Sequence, residues 1–131
     1  MICLDTNVVV RYIAQDDVAQ SAKATQLIES LSAETPGFIT LVNIVELVWV
    51  MQGCYKATKE ECAAVLQTLL HTREILLENA EIVVMATHKY LASNADFADC
   101  LIERSASYAK CTSTMTFDNN AAKTAGMVLI T

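Results

Sequence analysis

Apolar and polar positions alternate along the chain between short apolar runs and segments of helical period. Met1 to Leu4 is a brief apolar run stopped by Asp5, and the apolar residues from Asn7 to Ala14 recur at helical spacing, so the opening reads strand, turn, helix. Between Val18 and Ala33, the residues Val18, Ala22, Leu27, Ile28 and Leu31 form one helical stripe, which Thr35, Pro36 and Gly37 end. Phe38 to Thr40 is a second candidate strand. Leu41 to Met51 is apolar nearly all round, which predicts a helix buried on every side. Thr58 and Glu61 fit the S/T-x-x-E capping box and open a helix to about His71. Ile75 to Leu77 is a third candidate strand, and Asn79 is placed to cap a helix through Leu91. Ala95 to Lys110 is helical again, Met115 to Phe117 a strand ending at Asp118, and Met127 to Ile130 a last strand. Short apolar strands alternating with helices predict an α/β fold, a short central, mostly parallel sheet with helices on both faces. At 131 residues, with no internal repeat and no linker, the expected organisation is a single domain spanning 1–131.

Composition narrows the classes. Apolar and aromatic residues make up 53% of the chain, with only three Gly and one Pro, which excludes a disordered or low-complexity protein. The longest apolar stretch, 38–51, is interrupted by Thr40, Asn43 and Glu46 and is too short to span a bilayer, so no membrane role is expected. Asp5 and Arg11 break the N-terminal apolar residues, and no basic stretch precedes them, which argues against a signal peptide and for a soluble, cytoplasmic protein. The five cysteines are odd in number and form no C-x-x-C pair, so they read as reduced core residues. His71 and His88 have no partner at metal-ligand spacing and read as surface or helix-end residues.

A net charge of −6 argues at first against a nucleic-acid partner. The objection weakens if the acids are gathered around metal, because two divalent cations would bring −6 to about −2. Asp5 and Asp118 both stand after candidate strands, and in open parallel sheets the site lies beyond the carboxyl ends of the strands. Each also has a plainer reading, Asp5 as a turn or cap residue and Asp118 as the start of the turn before Asn119 and Asn120. Glu46 stands among Ile44, Val45, Leu47, Val48, Trp49 and Val50, where a carboxylate needs a cation or a buried salt bridge. Asn43, three residues earlier, is placed to hydrogen-bond beside it. Asp96 and Asp99 share the first turn of a candidate helix, and Asp96 could serve simply as its N-cap. Carboxylates brought within about 4 Å repel by several kcal/mol per pair at an effective dielectric near 20, so such a cluster calls for a hard cation, Mg²⁺ or Mn²⁺. Arg11, Lys89 and Arg104 adjoin the acidic segments and are candidates for phosphate contact, or else solvated surface charges.

Together, Leu4-Asp5-Thr6-Asn7, Glu46 on its apolar helix, the run 95–102 (ADFADCLI) and Thr116-Phe117-Asp118 resemble the PIN-domain pattern in the order and spacing of VapC toxins, over the whole chain. The resemblance implies a PIN-like α/β/α fold and a metal-dependent endoribonuclease. It implies an acidic quartet of Asp5, Glu46, Asp99 and Asp118 holding Mg²⁺ or Mn²⁺, with Asp96 as a secondary acid and Asn7 and Thr116 as polar residues beside the site. It also implies an RNA substrate, a VapB-like antitoxin and a homodimer. Cys100 departs from the alanine frequent at that position, a small and apolar change. Three alternatives remain open. A phosphatase using Asp5 as nucleophile would want a second Asp two residues on, where this chain has Asn7. A metal-stabilised interaction module and an RNA-processing nuclease without antitoxin are also compatible with the residues.

Overall fold

A computed structural model describes all residues, Met1–Thr131. They form two compact units, Met1–Glu78 and Asn79–Thr131.

In the N-terminal unit β1 (Ile2–Cys3), β2 (Gly37–Ile39) and β3 (Ile75–Leu77) make a parallel sheet in the order β1-β2-β3. Ile2 lies opposite Gly37 and Phe38 opposite Leu76. Parallel neighbours require crossovers, and four helices supply them: α1 (Thr6–Ala14), α2 (Val18–Glu29), α3 (Leu41–Cys54) and α4 (Lys59–Leu70). Each begins at an oxygen-bearing cap. Asp5 accepts from Thr6 N–H, Asp17 from Gln20 N–H, Thr40 from Asn43 N–H and Thr58 from Glu61 N–H. The capping box expected at Thr58 and Glu61 is present, and Thr40 with Asn43 forms a second. Glu78 joins the sheet to α3: its N–H donates to Ile39 C=O at 2.8 Å, and its Oε1 accepts from Leu41 N–H at 2.9 Å. Leu4, Val9, Ile39, Ile44, Leu47, Val48 and Leu66 fill the core. Gly37 is glycine for want of room, since a Cβ there would stand 2.9 Å from Leu31 Cδ1 and 3.0 Å from Leu4 Cδ1.

The C-terminal unit holds α5 (Ala80–Ala92), α6 (Phe97–Tyr108), β4 (Met115–Thr116), α7 (Asn119–Thr124) and β5 (Val128–Leu129), with β4 and β5 paired in parallel. α5 packs on α6 through Val83, Ala86, Tyr90, Phe97 and Cys100, all buried, and the Tyr90 and Phe97 rings meet edge to face at 5.4 Å. Lys89 of α5 bridges to Glu103 of α6, which also accepts from Arg104.

Several expectations need correction. α3 is not buried on every side: Val42 is 69% exposed, Trp49 60%, and Glu46 lies on the same open stripe. An apolar composition hides this because helix burial is set by the neighbours available to cover each face. The expected parallel pairing of the strands is present, in a three-stranded and a two-stranded ladder. The first ends at β3, after which the chain from Ala80 winds into helix. α7 occupies residues to which the sequence pattern assigns no helix, since six residues carry too short a period to register. Asn79 stands at the start of α5 but adopts φ 48° and makes no side-chain cap. α2 stops at Glu29, short of Ala33. Among the cysteines, Cys62 and Cys100 are buried, while Cys3, Cys54 and Cys111 are exposed; all five are free thiols. His71 and His88 are exposed, as expected. No helix is long and apolar enough to cross a membrane.

Candidate acidic site

The turn from β1 into α1 sets the first acid. Asp5 leaves the strand with extended backbone, and its Oδ1 takes the Thr6 N–H at 2.8 Å, one of the donors that a helix start leaves unpaired. Thr6 comes next in the first turn, on the buried stripe with Val9 and Val10. Its hydroxyl donates to Glu46 Oε1 at 2.7 Å, across forty residues of sequence, and accepts from Asn43 Nδ2 at 3.0 Å. The same Asn43 amide approaches Asp5 Oδ1 at 3.5 Å, while its Oδ1 accepts from the Thr40 N–H and hydroxyl. Asn43, Thr6, Glu46 and Asp5 are therefore one network, and Asn43 reaches Glu46 through Thr6. The salt-bridge reading of Glu46 is overturned, because its partner is a neutral hydroxyl. Asp5 and Glu46 share a cavity of about 490 Å³ with Thr6, Asn7 and Arg11. Arg11 stands at its wall, pinned by Asp16 at 3.1 Å and Gln20 at 2.9 Å.

In the C-terminal unit Asp118 caps α7, its Oδ1 accepting from the N–H groups of Asn120 (2.8 Å) and Ala121 (3.2 Å). Thr116 Oγ1 accepts from Asp118 N–H at 3.0 Å and so orders that backbone. The turn reading of Asp118 is thus half right: it caps a helix. Asp96 stands at the N-cap of α6 without a side-chain cap bond, and Asp99 lies in the first turn, partly exposed. Desolvation first, and then the negative charges of Asp96 and Asp118, push the Asp99 carboxyl above its ordinary value. No lysine or arginine is paired with any of the three; Lys89 and Arg104 are both engaged by Glu103, whose carboxyl they hold below its usual range, Arg104 foremost.

Within neither unit do three His, Cys, Asp or Glu side chains converge to metal-holding separation. The donor chemistry nevertheless fits a hard divalent cation. Every donor is a carboxylate oxygen, the hydrogen bonds described use one oxygen of Asp5 and of Glu46, and Asp99 sits among like charges that a cation would neutralise. Sequence reasoning misses Thr6 and Tyr55. Thr6 carries a signal, because its spacing from Val9 and Val10 buries its hydroxyl beside an acid. Tyr55 carries none: it lies where α3 ends, and its partners Arg11 and Asp16 are 44 and 39 residues away.

Known proteins give one decisive comparison. No curated relative matches the chain. The model of the PIN domain family matches residues 2–127, through both units and all the acids discussed. PIN domains are generally nucleases of α/β fold, and the parallel sheet and seven helices found here agree with that family. The chain belongs to the PIN domain family.

Proposed function

We propose that this chain is a metal-dependent endoribonuclease that hydrolyses RNA phosphodiester bonds, one PIN domain spanning both units, with Asp5, Glu46, Asp99 and Asp118 as its metal-binding acids. The observation that carries this reading is the network in which one threonine holds two carboxylates from distant parts of the sequence at one cavity. Thr6 and Asn43 are the buried members of the network, and their hydrogen bonds orient two exposed acids instead of neutralising them. Mg²⁺ or Mn²⁺ held by these oxygens would supply the positive charge that draws a phosphate to an acidic pocket and makes a nearby water a better source of hydroxide. The chain's own residues do the rest. Thr6 fixes Glu46, Asn43 fixes Thr6, Asp118 is held by the first turn of α7, and Asp96 adds negative charge beside Asp99. Asn7 borders the pocket, and Arg11 offers a cation for a non-bridging phosphate oxygen.

Purified protein should cut single-stranded or loop RNA internally, lose that activity in EDTA and regain it with Mg²⁺ or Mn²⁺. Duplex RNA should be a poor substrate. No cleavage of any RNA by metal-loaded wild type would refute the proposal and leave an interaction module. The order and spacing of the acidic motifs also support a finer reading, a VapC-type toxin that forms a homodimer and is restrained by a VapB-like antitoxin. Induced expression should then arrest growth, and the product of a small adjacent reading frame should relieve the arrest. Unaffected growth would leave an RNA-processing nuclease.

A further inference from the structure

The cavity that contains Asp5 and Glu46 has a second wall, formed by Arg11, Val50, Cys54 and Tyr55, that the acidic set does not use. Tyr55 is 38% exposed, and its hydroxyl donates to Asp16 Oδ2 at 2.7 Å. The other oxygen of the same carboxylate takes Arg11 Nη1 at 3.1 Å, and Arg11 also approaches the Tyr55 hydroxyl at 3.4 Å. A single carboxylate therefore holds a ring and a guanidinium side by side. Tyr55 also borders an apolar cavity of about 250 Å³ with Val10, Ile13, Leu47, Met51 and Val65. It stands between that apolar space and the acids. A tyrosine tethered by its hydroxyl loses little further freedom when a flat group lies against it, and an aromatic face beside a cation suits a nucleotide, base on ring and phosphate on guanidinium.

We propose that Tyr55 and Arg11 form a nucleotide-binding rim of the acidic cavity, Tyr55 stacking on an unpaired base of single-stranded RNA and Arg11 contacting the adjoining phosphate, with Asp16 as the positioning residue for both. The proposal rests on the ribonuclease reading of this cavity. Stacking is tolerant of base identity, so the rim favours unpaired nucleotides over any particular sequence.

The test is a short single-stranded RNA carrying 2-aminopurine, a base whose fluorescence falls when stacked, titrated with protein in Ca²⁺ and, separately, cleaved in Mg²⁺. Wild type should quench it, and Tyr55→Phe, which keeps the ring but loses the tether to Asp16, should quench it more weakly. Tyr55→Ala should lose the quench and bind at least about fivefold more weakly, the low end of what one stacked base contributes. Asp16→Asn should weaken the quench without abolishing it. Arg11→Gln should keep the quench but lower the slope of log affinity against log salt by about 0.7, as expected for one lost phosphate contact on a single strand. If Tyr55→Ala proves unstable, wild type alone decides, because an abasic site in place of the 2-aminopurine should cost it the same affinity. Cleavage by wild type without quenching, or quenching retained in Tyr55→Ala, overturns the rim and leaves the nuclease. Quenching that depends on Tyr55 without cleavage keeps the rim and overturns the nuclease. Absence of binding overturns the rim.

Discussion

In the N-terminal unit Asp5 and Glu46 each accept a hydrogen bond from Thr6, one from its backbone N–H and one from its hydroxyl, and Asn43 locks that residue from behind. In the C-terminal unit Asp99 is crowded instead: burial and the charges of Asp96 and Asp118 oppose its ionisation. The first pair is oriented by neutral donors, whereas in the second group burial and neighbouring negative charge oppose ionisation. Acidic side chains can be ordered by neutral donors or crowded by their own repulsion, and this chain shows both.

The largest expected effect tests whether both groups serve one reaction. Asp99→Asn and Glu46→Gln should each lower RNA cleavage by at least about a hundredfold, the scale of losing a major electrostatic contributor. Their metal-free melting temperatures should separate. Asp99→Asn relieves repulsion and should melt higher than wild type, while Glu46→Gln keeps an acceptor for Thr6 and should melt close to it. Loss of fold in Glu46→Gln would make that residue structural, and wild-type cleavage by either variant would mean that the activity belongs to a contaminant.

Of intermediate size is Thr6→Val, which keeps the shape and removes the hydroxyl. It leaves the Asn43 amide short of an acceptor, which costs about 1–3 kcal/mol of stability. Cleavage should fall by roughly tenfold, the scale of about 1.4 kcal/mol in transition-state stabilisation, with Thr6→Ser restoring most of it. Full activity in Thr6→Val would show that the network does not position Glu46.

The smallest effect is a pH dependence. Asp99 has a raised pKa in the fold, so the native state binds its proton more tightly than the unfolded chain does. Its contribution is fully present below the unfolded value near pH 4 and is lost as pH rises through the folded value. Without metal, wild type and Asp99→Asn should therefore melt alike below about pH 4 and diverge above it, the variant becoming the more stable. A difference independent of pH would mean that Asp99 is not crowded.

The residues themselves make much of this legible. The helices at Asn7, Val18, Leu41 and Thr58 are readable because caps and 3.6-residue stripes are local, and Ile75–Leu77 is readable because its apolar run is bounded on both sides. The candidate site acids other than Glu46 stand at or near element starts, where a short-range pattern can find them. What escapes depends on distance or brevity. The apolar neighbours of Glu46 predict a place in the core, yet its helix face is open, a property of what packs nearby. α7 is too short to show a period. Tyr55 gains meaning only from Asp16, far upstream.

Asn43 serves two structures at once. Its carbonyl oxygen begins α3, and its amide nitrogen steadies the acidic cavity. Fraying of that first helical turn is therefore felt at Glu46, and heat should disable the site before it unfolds the unit. Substituting an acid here, a common choice for capping a helix, would keep the cap and turn a donor into a repelling charge. The position is thus closed to the routine improvements that stabilise helices elsewhere, because the same side chain serves both the helix start and the acidic network.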